Sequence, residues 1–112
     1  MASTFKVELS MPDPPPEAQA RAAIALDDPA GAVGLRLTKR GAGELGYRTS
    51  VKWPFLVRLW HNINGEQMTV KFEVADGSGT RVTIDGAVAR GNHALAADPE
   101  HWSEALGASS GA

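Results

Sequence analysis

The sequence predicts an α+β domain in the order strand, helix, antiparallel sheet of about five strands, helix. Three observations predict it. Phe5, Val7, Leu9 and Met11 alternate with Thr4, Lys6, Glu8 and Ser10, the period of a strand with one buried face. An alanine-rich stretch of helix formers follows it. From Val33 onward the period returns to two and holds until a short, well-capped segment near the end.

Between the first two elements lies Pro12-Asp13-Pro14-Pro15-Pro16. Fixed φ angles and missing amide donors exclude helix and central strand there, so it reads as a rigid elbow. EAQARAAIALDD then forms a helix closed by Asp27, Asp28, Pro29 and Gly31. Its apolar face of Ala20, Ala23, Ile24, Leu26 and Ala30 is narrow, which requires close packing on whatever it covers. Val33, Leu35 and Leu37 alternate with Gly34, Arg36 and Thr38, and Gly41-Ala42-Gly43 turns the chain into Leu45, Tyr47, Thr49 and Val51, completing a hairpin. Lys52-Trp53-Pro54 interrupts the pattern. Residues 55–63, FLVRLWHNI, are apolar on both parities, as in a strand covered on both faces or meeting a partner. Asn64-Gly65 is a type I′ turn signal. Met68, Val70, Phe72 and Val74 form the next strand, and Asp76-Gly77-Ser78-Gly79 joins it to Val82, Ile84, Gly86 and Val88. RGNHAL reads as the entry to a loop. Asp98, Pro99, Glu100 and Gly107 then cap a last helix whose apolar face is Trp102, Ala105 and Leu106. The expected organisation is one domain over residues 1–107 and a frayed tail over 108–112.

Composition sets the limits. Of the hydrophobic 43% of 112 residues, 18 are alanines, leaving 30 large apolar side chains, enough for one core. With no cysteine, disulfides, thiolate zinc sites, iron–sulfur clusters and a cysteine nucleophile are excluded. There is neither a basic amino-terminal region leading into an apolar run nor a stretch near the ~20 apolar residues a membrane span needs, so a soluble, cytoplasmic protein is expected. A net charge of −2 offers no bulk attraction to nucleic acid.

Three fragments, VELSMPDPPPEAQARAAIALDDPAGAVG, MTVKFEVADGSGTRVTIDG and DPEHWSEALG, resemble the START-like (SRPBCC, helix-grip) superfamily: its first strand, proline elbow and helix, its late hairpin, and the start of its final helix. The resemblance implies a curved sheet gripping a helix around an apolar cavity that binds lipids, polyketides or other hydrophobic small molecules, which some members cyclise or hydrate. The implied lining here is Phe5, Val7, Leu35, Leu37, Val57, Leu59, Phe72 and Trp102. The short final helix implies a cleft that is open or completed by a second copy. A TBP-like fold, which binds through its open sheet surface, has the same element order.

Local chemical motifs are few. Gly41, Gly43 and Gly46 match G-x-G-x-x-G, but YRTSVKW rather than a helix follows, so no helix N-terminus is available for a pyrophosphate and a hairpin turn is the better reading. His61, His93 and His101 lack metal-ligand spacing, and no cofactor motif is present. His61 shares parity with Phe55, Val57, Leu59 and Ile63. It reads either as a buried, hydrogen-bonded histidine or as the polar anchor of the ligand cavity. His93 and His101 are expected at the surface. No nucleophile elbow or carboxylate pair points to catalysis. One polar feature exceeds background: residues 31–60 carry Arg36, Lys39, Arg40, Arg48, Lys52 and Arg58 against Glu44, while the rest of the chain is acidic. With Tyr47, Trp53 and Trp60 interleaved, the favoured reading of this basic hairpin is a solubilising outer face with core tryptophans, and the alternative is a surface for homodimer or partner contact. Single-stranded nucleic acid is the weaker reading, given the acidic total.

Overall fold

Alternation in the sequence becomes a sheet with one face dry. The computed structural model describes residues 2–49, 66–75, 79–107 and 109–110. Strand β1 (Ala2–Met11) is followed by helices α1 (Pro15–Ala25) and α2 (Asp27–Ala32). Next come β2 (Leu35–Gly41), β3 (Glu44–Thr49), β4 (Gln67–Val74) and β5 (Thr80–Ala89). The chain ends with α3 (Arg90–Ala96), α4 (Pro99–Leu106) and the two-residue β6 (Ser109–Ser110). All pairings are antiparallel, in the order β2-β3-β4-β5-β1-β6. The first strand therefore closes the sheet beside β5, with Ala2 opposite Ala89 and Met11 opposite Thr80.

The dry face carries Phe5, Val7, Leu9 and Met11 of β1; Val82, Ile84 and Val88 of β5; Met68, Val70 and Phe72 of β4; Leu45 and Tyr47 of β3; and Leu35 of β2. All are buried. At Gly86, between Phe5 and Met68 in the register, a Cβ would stand 2.2 Å from the Gln67 carbonyl oxygen, so only glycine lets β4 and β5 approach this closely. The other face is polar, with Lys6 opposite Asp85 and Glu73 opposite Arg81.

The four described helices lie on the dry face. Helix α1 turns Ala18 and Ala22 inward, not the expected face of Ala20, Ala23 and Ile24; Ala20 and Ile24 are exposed, and the two small buried side chains let the helix lie close to the sheet. Trp102 of α4 is fully buried, its ring parallel to Phe5 at 6.4 Å between centroids, and its Nε1–H donates to the Ala96 carbonyl at 2.8 Å. The caps of α4 match expectation: Asp98 Oδ1 accepts from the Glu100 amide at 3.0 Å, Pro99 opens the first turn, and Gly107 takes a positive φ of 61°.

Several expectations are corrected. The alanine-rich segment is two helices that meet at buried Leu26. Val33 ends α2 and lies outside the sheet, because Gly34 at φ 80° reorients the chain before β2 begins. RGNHALA is helical rather than a loop. Its His93 is half-buried, Nε2–H donating to the Thr4 carbonyl at 2.8 Å; His101 is likewise half-buried and donates to the Pro29 carbonyl at 2.9 Å. Ser109 and Ser110, expected in a frayed tail, pair with Ser10 and Leu9. The two-sided apolar stretch 55–63, the Asn64-Gly65 turn and residues 76–78 lie outside the described residues.

Candidate functional site

The β2–β3 hairpin builds the site through a fault in its ladder. Leu35, Arg36 and Leu37 pair with Thr49, Arg48 and Tyr47, but the next partners are Lys39 with Gly46 and Arg40 with Leu45. Thr38 is the extra residue of a β-bulge, and its hydroxyl lies 3.3 Å from the Gly46 carbonyl, to which it donates. Strict alternation would send Lys39 inward and Arg40 outward; the bulge reverses them. Arg40 thus stands opposite buried Leu45, on the helix-covered side of an edge strand.

Two adjoining grooves open between this strand and the first helices. The larger, about 430 Å³, is lined by Ala23, Ile24, Asp27, Arg36, Leu37 and Arg40. The smaller, about 200 Å³, is lined by Pro16, Gln19, Ala20, Ala23, Arg40 and Leu45. Ala23 and Arg40 border both, so the two form one trough along α1. Ile24 is 80% exposed on its lip. At the trough's end Gln19 clamps the hairpin turn, donating from Nε2 to the Gly41 and Glu44 carbonyls at 2.6 and 3.3 Å and accepting from the Gly43 amide at 2.9 Å. The glycine motif is thereby a turn whose free amide is already taken by a side chain, consistent with its reading as a hairpin rather than a phosphate loop.

Tyr47 is the chemical anomaly. It is 1% exposed, and its hydroxyl makes no hydrogen bond with the described residues. Such a group is costly to leave unmatched. Burial pushes the phenol up from 10.0 to about 12; the Asp27 carboxylate adds to the rise and the Arg40 guanidinium opposes it. Both charges line the trough, as does Leu37, the cross-strand neighbour of Tyr47, while Tyr47 itself does not. Among the described residues Asp27, Arg36 and Arg40 make no ion pair; the pairs present are Lys6 with Glu8 at 3.8 Å and Arg21 with Asp13 at 2.9 Å.

Of the side chains expected to line a cavity under the terminal helix, Phe5, Val7, Leu35, Phe72 and Trp102 are buried core. Leu37 alone among the described members lines a groove. Val57, Leu59 and His61 lie outside the described residues. The basic patch is divided: Arg36 faces Arg48 directly across the hairpin, Lys39 lines a hollow of about 210 Å³ at the hairpin tip with Gly41, Ala42, Glu44 and Gly46, and Arg40 turns to the helix side. Lys52 and Arg58 lie outside the described residues. The burial of Tyr47 without a hydrogen-bond partner among the described residues has one signal in the sequence, a lone tyrosine on the apolar parity of a strand.

Among the described residues no helix is long and apolar enough to cross a membrane, and no group of three His, Asp or Glu converges as a metal site would require. Comparison with protein-family models, with curated proteins and with solved structures finds no match.

Proposed function

We propose that this protein is a small START-like domain that binds a hydrophobic small molecule in the cleft between its sheet and its first two helices. The observation that carries the reading is an open trough whose apolar stretches, Ala20, Ala23, Ile24, Leu37 and Leu45, adjoin the charged groups Asp27, Arg36 and Arg40. Ligand sites characteristically combine apolar walls with a few polar groups, here Asp27, Arg36 and Arg40. The larger groove has the volume of small-molecule sites, roughly 300–1,000 Å³. Support for the START-like reading comes from the element order, with two short helices between β1 and a meander that returns to pair with β1, and a last helix packed on the sheet. The cleft used is displaced from the one under the terminal helix, because Trp102 stacked on Phe5 fills that position.

The test is chemical-shift mapping with 1-octanol, an uncharged apolar probe. Saturable shifts of the backbone amides of Ala23, Ile24, Leu37 and Tyr47 are expected at millimolar concentration. Shifts scattered over the surface, or none, would refute the reading.

A further inference from the structure

The charges around the trough go further than its apolar walls. Arg40 is turned inward by the bulge at Thr38, and Arg36 joins it on the same groove. Opposite stands one acid, Asp27 of α2. Among the described residues neither arginine has an ion-pair partner, and Arg36 additionally faces Arg48 across the hairpin, an arrangement of like charges that is unfavourable until an anion is present. The site therefore has one uncompensated positive charge and planar guanidinium groups suited to bidentate carboxylate binding.

We propose that the trough selects a small amphiphile with a single carboxylate, its head on Arg40 and Arg36 and its chain or ring along Ala23, Ile24 and Leu37. This rests on the binding reading above and adds the chemical class of the ligand. A monoanion neutralises the site, whereas a dianion meets Asp27 with charge to spare. The inward arginine on an edge strand has a second effect, discouraging edge-to-edge pairing with another sheet, but that effect does not call for Arg36 and Asp27 on the same groove.

The experiment is isothermal titration of the whole protein with octanoate and with 1-octanol, alongside the variants Arg40→Gln and Asp27→Asn. Both positions are exposed, and circular dichroism of each variant establishes that it is folded. Octanoate is expected to bind about tenfold or more tightly than octanol, the discrimination a charge-assisted hydrogen bond supplies. Arg40→Gln should abolish that preference, and Asp27→Asn should tighten octanoate about twofold to fivefold while leaving octanol unchanged. Equal binding of the two probes, or a preference that survives Arg40→Gln, overturns the carboxylate assignment and leaves the apolar site standing. Failure of both probes to bind overturns the site itself.

Discussion

Replacing Tyr47 by phenylalanine should stabilise the unliganded protein. The ring stays in the core, opposite Met68 and Leu37, while the hydroxyl that makes no hydrogen bond is removed. An unmade hydrogen bond on a buried group costs about 1–3 kcal/mol, and the small void left by the oxygen offsets part of the gain, so a net stabilisation of about 1 kcal/mol is expected. For a domain of this size that corresponds to a rise in Tm of about 4–8 °C. The same hydroxyl makes stability depend on pH in the alkaline range. The phenol titrates at about 12 in the folded chain against 10.0 when unfolded, so the unfolded state releases its proton first. Stability is complete below pH 10 and falls as pH rises toward 12, by about 3 kcal/mol in total. Subtracting the Tyr47→Phe denaturation curves from those of the parent isolates this loss. Tyr47 is the chain's one tyrosine, so near-ultraviolet phenolate absorbance follows it alone. A lower Tm in Tyr47→Phe, or a phenolate that forms at an ordinary pH in the folded protein, would refute the picture of a buried, unpartnered donor.

Other positions make separate predictions. Gln19→Ala removes three contacts between α1 and the hairpin turn and should cost about 1–2 kcal/mol, with faster hydrogen exchange at the Gly43 amide; unchanged exchange there would remove the clamp. Gly86→Ala places a Cβ 2.2 Å from the Gln67 carbonyl oxygen and 2.7 Å from the Met68 Cα, both backbone, so β4 must shift. Urea denaturation should show a loss of about 3 kcal/mol or more, and a near-neutral result would mean the strands are not this close. Trp102→Ala empties the space over Phe5 and strands the Ala96 carbonyl, for a loss of about 3–5 kcal/mol by the same measurement.

Much of the scaffold is legible in the sequence because its signals are local. The alternation of Phe5 to Met11, of Met68 to Phe72 and of Val82 to Ile84 marks one face of each strand, and those side chains are the core. Asp98, Pro99 and Gly107 delimit α4 because caps depend only on the first and last turn. Helix α3 is not legible in this way. RGNHALA is short and lacks a capping side chain, and it is held by His93 bonding to Thr4, 89 residues away.

The candidate site was decided by tertiary structure. Sequence alone marks residues 36–48 as basic and contributes one tyrosine on the apolar parity. A single extra residue at Thr38 then exchanges the faces of Lys39 and Arg40, and strand periodicity cannot reveal such a slip because each side chain's face depends on which partner residue it opposes. Whether a tyrosine hydroxyl finds an acceptor likewise depends on what α1 and α2 bring above it. They bring the carboxylate of Asp27 near enough to act on the phenol, and no hydrogen-bond partner among the described residues. Periodicity and caps therefore determine strands, helices and the buried face, while the register of one hairpin and the helix laid across it decide where an unpartnered donor and an inward cation meet.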